Sequence, residues 1–142
     1  MIKLTEDNRM LGYELLSSFP NIYHFTTTRA GGCSSGNYAF FNCTGYTDDN
    51  PEDVLRNQSL LLSSLPQVKQ LVIPRQVHDT CICIINSPKL VSDEELYGID
   101  ALITNQPGFC LCISTADCIP LLLYDPQKQV IAAIHAGWRG TV

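Results

Sequence analysis

Six short apolar runs, each bounded by turn residues, crowd the second half of the chain: "LVI" near residue 71, "TCICII" from 80, "IDALIT" from 99, "FCLCIS" from 109, "IPLLLY" from 119 and "VIAAI" from 130. Each is short for a helix and rich in residues that fit a pleated surface, so each reads as a strand. Most are apolar at successive positions and not only at alternate ones, which predicts a sheet covered on both sides. The expected class is α/β or α+β: a layered domain with a mixed, largely buried β-sheet flanked by helices. At 142 residues the chain suits a single unit, 1–142.

The securest predicted helix runs from about Pro51 to Leu65. Asn50 can cap it, Pro51 suits its first position, Glu52 and Asp53 meet the positive end of its dipole, and Pro66 follows its end. A shorter helical turn is expected at "SDEELYG", where Ser92 and Glu95 have capping-box spacing and Gly98 supplies a left-handed stop.

No apolar run approaches the roughly 18 residues that a membrane span needs, and the acidic start "MIKLTEDNRM" does not read as a secretory signal. A cytoplasmic location is the expectation, with no membrane partner. Seven cysteines are an odd number, and Cys81/Cys83 and Cys110/Cys112 are spaced i, i+2 within strands, so reduced thiols are expected. Without export, the sequons at Asn42 and Asn57 carry no meaning. A net charge of −5 with only nine Lys and Arg leaves no basic stripe for nucleic acid.

The stretch "STADCIPLLLYDPQKQVIAAIHAGWRG" reads as a hairpin turning at "DPQK". Pairing the strands symmetrically about that turn sets Tyr124 against Gln129, Ile119 against Ile134 and Cys118 against His135. Directly paired residues share a face with Cβ atoms about 4.5–5.5 Å apart, so thiol and imidazole could share a metal ion. A slip of one residue would send them to opposite faces. His78, in the polar break "PRQVHDT", is a candidate third ligand, because one Cys and two His make a zinc set that leaves a fourth position open. The gaps of 40 and 17 residues match no local metal motif. On spacing alone, a buried Cys118 and a hydrogen-bonded core His135 explain the pattern as well.

"STADCIPLLLYD" followed by "VIAAIHAGWRG" closely resembles the signature of the laccase-domain or YfiH-like family, once labelled multicopper polyphenol oxidases and later associated with purine nucleoside metabolism. The resemblance extends, in order, to "TTTRAGGCSSGNYAFFN" (26–42), "DDNPEDVLRN", "RQVH" and "IDALIT". It implies zinc held by His78, Cys118 and His135, with copper less expected. It also implies phosphorolysis of purine nucleosides and hydrolytic deamination of adenosine, chemistry in which a bound zinc can activate water or polarise a substrate group. Members of the family are longer, so this chain is expected to be the N-terminal portion of such a protein, and a homodimer is a further expectation.

Phosphorolysis needs an anion site. Arg29, beside Gly31 and Gly32, is the leading candidate for it, with Asn42, Gln76 and Arg139 as further candidates for phosphate or ribose. Asp117, next to Cys118, and Asp100 are candidates to orient a histidine or move a proton. Trp138 is a candidate purine stack, and His24 reads as structural. Three other functions compete: a metal-free cysteine hydrolase or deamidase using Cys118 and His135, a copper-dependent polyphenol oxidase, for which three histidines are few, and an inactive fragment.

Overall fold

The structure, a computed structural model, describes residues 1–141. Contacts divide the chain into two compact units, Met1–Ser64 and Leu65 onward.

The first unit carries β1 (Ile2–Lys3), β2 (Met10–Gly12), the short helix α1 (Glu14–Ser17), β3 (Thr26–Thr27) and helix α2 (Pro51–Ser63). The three strands form an antiparallel sheet in the order β1-β2-β3, with Met10 opposite Thr27. His24 is structural here, its Nε2 lying 2.9 Å from the Tyr13 amide nitrogen. Helix α2 starts as the sequence predicts: the Asn50 side chain accepts from Glu52 N at 3.0 Å, and Pro51 occupies the first turn.

Helix α2 buries Val54, Asn57 and Leu61, spaced three and four apart so that they share one face. Asn57 is fully buried. Its Nδ2 lies 2.9 Å from Ser34 Oγ, 3.2 Å from the Phe40 carbonyl oxygen and 2.8 Å from that of Asn42, while its Oδ1 accepts from the Cys33 amide at 3.0 Å. One buried side chain therefore serves the buried Ser34 hydroxyl and three part-buried backbone groups of the loop over 33–42. Asn57→Ala is expected to destabilise the protein by about 3 kcal/mol in urea unfolding, because several buried and part-buried groups lose their partner at once. A loss below about 1 kcal/mol would contradict that role.

The second unit carries β4 (Gln70–Val72), β5 (Ile82–Ile85), β6 (Ala101–Thr104), β7 (Phe109–Leu111), β8 (Ile119–Asp125), β9 (Val130–Ala136) and the terminal turn of helix α3 (Trp138–Thr141). All six apolar runs are strands. β4 pairs with β7 in parallel, and the other four form a mixed sheet in the order β5-β6-β9-β8, parallel at β5–β6 and antiparallel elsewhere. Pro120 is tolerated because β8 lies at the edge. "SDEELYG" makes its capping contacts, Glu95 Oε2 accepting from Ser92 N at 2.9 Å, but closes as a turn with Leu96 N donating to the Asp93 carbonyl.

Val72, Ile85, Leu96, Leu102 and Phe109 form the core cluster of this unit. Ile85, Leu102 and Ala133 are buried on one face of the mixed sheet. The opposite face differs from the expectation of cover on both sides: Ile82, Ile84, Leu121 and Leu123 are exposed. Apolar runs report which side chains need cover, and not which part of a protein supplies it.

Candidate metal centre

The β8–β9 hairpin forms with Tyr124 opposite Ile131 and Asp125 opposite Val130, which corrects the predicted pairing of Tyr124 with Gln129. The chain turns through Pro126–Gln129, one residue later than a turn centred on "DPQK", which moves every cross-strand partner by two. Asp125 Oδ1 accepts from Gln127 N at 2.9 Å and Lys128 N at 3.0 Å, and Gln129 takes φ 52° to close the turn. A shift of two preserves faces where a shift of one would not. Ile119 lies opposite Ala136, so continuing the ladder sets Cys118 across from Gly137 and diagonal to His135, on the same side of the sheet.

His78 comes from the loop between β4 and β5, where its backbone is left-handed at φ 64°. That conformation costs a residue with a Cβ roughly 1–2 kcal/mol, and the structure holds it with a carboxylate. Asp100, 2% exposed, precedes β6. Its Oδ2 accepts from the amides of Val77 and Asp79, both at 3.1 Å, and its Oδ1 accepts from the His78 amide at 3.0 Å. Three consecutive N–H groups around a left-handed residue make a concave anion cradle.

The same Oδ1 lies 2.7 Å from Nδ1 of His135, and the His135 amide donates to the Asp100 carbonyl at 2.8 Å. With Nδ1–H directed at the carboxylate, Nε2 carries the lone pair, the arrangement that orients a ligating imidazole. Burial pushes the Asp100 carboxyl up. The His135 hydrogen bond and the Asp79, Val77 and His78 amides outweigh burial and hold it below the ordinary aspartate value.

The potential ligand atoms of His78, Cys118 and His135 lie within 4.8 Å of one another. The two imidazoles meet edge to face with centroids 4.6 Å apart. Gly137 keeps the space open: a Cβ there would stand 3.0 Å from His78 Cδ2, 3.4 Å from His135 Cε1 and 3.7 Å from Cys118 Sγ. One thiolate and two imidazoles are donors that zinc and other borderline-soft ions accept. The thiolate and the Asp100 charge behind His135 together balance a divalent cation. The residues fit a metal, so core packing alone does not explain the cluster. Gly137→Ala is expected to weaken metal binding by about tenfold or more, because the exposed His78 ring must swing away from the other two. Competition against a chelator reads this directly, and unchanged affinity would contradict it.

The remaining candidates are placed as follows. Gln76 spends both ends of its amide on Ser114, Nε2 donating to the carbonyl at 2.9 Å and Oε1 accepting from the amide at 2.7 Å, which ties the His78 loop to the segment leading to Cys118. Asn42 is likewise engaged within the first unit, Nδ2 at 3.0 Å from both Thr47 Oγ1 and Asp49 Oδ2, and Oδ1 accepting from Thr44 N. Gln76 thus holds the Ser114 backbone, and Asn42 holds two side chains and the Thr44 amide. Arg29, exposed in the first unit, directs Nε at the Ala39 carbonyl. Asp117 is exposed, with Oδ1 4.0 Å from Cys118 Sγ, and Arg139 is exposed and stacks over Trp138 at 5.1 Å. Gly137 was not singled out from the sequence, although a glycine two residues after a metal-ligand candidate in a strand is a sign of close approach.

Residues 23–142 match the family described as multi-copper polyphenol oxidoreductase laccase. A relative from Bacteroides thetaiotaomicron named purine nucleoside phosphorylase is 58% identical over 148 residues, covering 100% of this chain and 55% of its own length. A protein of an unknown prokaryote named adenosine deaminase RL5 is 35% identical, covering 91% and 52%. Among solved structures, YfiH of Bacillus licheniformis superposes with TM-score 0.72 at 27% identity, and YlmD of Geobacillus stearothermophilus with 0.71 at 29%, each covering 82% of this chain and 46% of its own. The chain therefore spans about half the length of the relatives it matches. By the extent of the profile match and the shared fold, it belongs to the multi-copper polyphenol oxidoreductase laccase family.

Proposed function

We propose that this chain carries the metal site of a zinc-dependent purine nucleoside phosphorylase with adenosine deamination as a second activity. The observation that carries the reading is the convergence of His78, Cys118 and His135 over Gly137, with Asp100 fixing one imidazole. The names borne by the relatives support the substrate class, a purine nucleoside with phosphate. The donor set supports the choice of zinc over copper, since the chain has three histidines in all and one, His24, is spent on Tyr13.

Zinc, when bound, supplies Lewis acidity and charge stabilisation. The chain's own residues supply the rest. Asp100 holds His135 in one tautomer and His78 in its left-handed turn, and Gln76 fixes the His78 loop against the Cys118 segment. Asp117, exposed beside Cys118, is assigned proton transfer. Arg29 is assigned to the phosphate, for which a guanidinium offers paired donors, with Asn42, Gln76 and Arg139 as further contacts to phosphate or ribose. A cytoplasmic homodimer belongs to the same proposal, as does the absence of nucleic-acid and membrane partners. No helix among the described residues is long and apolar enough to cross a membrane.

The test incubates zinc-loaded protein with adenosine, with and without phosphate. Release of adenine and ribose 1-phosphate, or of inosine and ammonia, is the expected result. Neither product from protein holding stoichiometric zinc would overturn the assignment. Activity that survives complete metal removal would instead point to Cys118 as a nucleophile, and phenol-dependent oxygen uptake with copper to oxidase chemistry.

A further inference from the structure

Strand β7 gives Phe109 and Leu111 to the core cluster of the second unit, so the alternate residues Cys110 and Cys112 share its other face. Their Sγ atoms lie 3.7 Å apart, and both are partly exposed free thiols. The Cys112 thiol beside it outweighs burial and holds the Cys110 thiol below its ordinary value, which favours the reactive thiolate. Two other thiols are tuned the opposite way, burial pushing Cys43 up to about 12 and Cys83 upward as well. A thiolate-prone cysteine poised next to a second thiol is the pattern of an oxidisable pair.

The pair is also linked to the metal centre. Just past the end of β7 the Cys112 amide donates to the Val72 carbonyl at 2.9 Å. Two residues on, Ser114 takes both ends of the Gln76 amide, and Gln76 stands two residues before His78. Cys118 follows on the Ser114 segment.

We propose that Cys110 and Cys112 are a peroxide-oxidisable dithiol whose disulfide loosens the clamp between the His78 loop and the Cys118 segment. The Cys110 thiolate attacks hydrogen peroxide, the O–O bond breaks, and Cys110 becomes a sulfenic acid as hydroxide leaves and takes a proton from solvent. The Cys112 thiol then attacks that sulfur, forming the S–S bond and releasing water. In sum, two thiols and one hydrogen peroxide give one disulfide and two waters. Extended residues i and i+2 stand about 6.7 Å apart, at the upper edge of what a disulfide spans. Closing the 3.7 Å gap to a covalent bond therefore pinches the backbone at Cys112, and the pull reaches Ser114 and Gln76. The effect on zinc rests on the metal reading of His78, Cys118 and His135; the bridge itself does not.

The test treats the 142-residue chain with hydrogen peroxide, alkylates the remaining thiols and maps the peptides by mass. The expected result is a Cys110–Cys112 bridge that dithiothreitol reverses, while Cys112→Ser instead accumulates a sulfenic acid on Cys110 that dimedone traps. In metal-free protein the bridge should speed hydrogen exchange of the Ser114 amide by about tenfold or more. Chelator competition should show zinc affinity lowered by about tenfold or more, restored by dithiothreitol, whereas Cys110→Ser keeps its affinity through the same treatment. Cys110 and Cys112 both alkylated after oxidation, Ser114 exchange unchanged by the bridge, or an equal loss of affinity in Cys110→Ser would each overturn the proposal. Reduced protein that binds no zinc would instead sink the metal reading, with the bridge and the Ser114 exchange still deciding this one.

Discussion

Asp100→Ala is expected to lower stability by about 3–5 kcal/mol, the scale of removing one partner from a buried charged pair, and to weaken zinc binding by about 10–100-fold or more. The carboxylate serves four donors at once: Oδ1 takes His78 N and His135 Nδ1, and Oδ2 takes Val77 N and Asp79 N. Alanine removes the shared partner of all four, and the buried His135 ring loses the carboxylate it pairs with, at a position that is itself 2% exposed. Asp100→Asn keeps the shape but does little better, because its amide nitrogen must face one of the two pairs of donors whichever way it is turned. The asparagine variant is therefore expected close to alanine in urea unfolding and in competition with a zinc chelator. An asparagine variant within about 1 kcal/mol of the parent would show that the carboxylate is not what holds the two histidines.

The ligands themselves are expected to behave in the opposite way, losing metal while keeping the fold. Cys118→Ala should reduce zinc affinity by two to three orders of magnitude, roughly a ligand's share of a zinc site's binding energy. It should change metal-free stability by less than about 1 kcal/mol, because the side chain is only partly buried at the open end of an edge strand. The zinc-dependent rise in Tm, which a ligand selective for the native state must produce, is lost with it. His78→Gly is sharper still: it relieves a φ of 64°, so the metal-free protein gains about 1 kcal/mol while zinc affinity falls. A gain in stability that accompanies loss of binding identifies a residue kept for function. If both variants unfold the protein without changing its zinc affinity, the cluster is ordinary packing.

Much of the second unit is legible from sequence because its signals are local. Runs such as "IPLLLY" and "VIAAI" declare strands by residue type, and Asn50-Pro51 declares the start of α2 by capping chemistry. The first unit is less legible: β1 to β3 are two or three residues each and carry Lys, Thr and Gly, so they show no period. The β8–β9 register was missed by two because Asp125 both ends the ladder and caps the turn, and only the parity of the pairing carried through. Asp100 was visible as a candidate but not as a hub, since three of its four donors are backbone amides that no side-chain pattern reveals. Gly137 acts through the absence of a side chain, and its meaning appears only once His78, distant in sequence, is placed beside it.

The central claim is that His78, Cys118 and His135 hold one metal ion together. X-ray absorption at the zinc edge on the loaded protein tests it most directly. The account predicts one sulfur at about 2.3 Å and two imidazole nitrogens at about 2.0–2.1 Å, with the sulfur shell vanishing in Cys118→Ala. A zinc shell without sulfur, or a sulfur shell that survives that substitution, would contradict it.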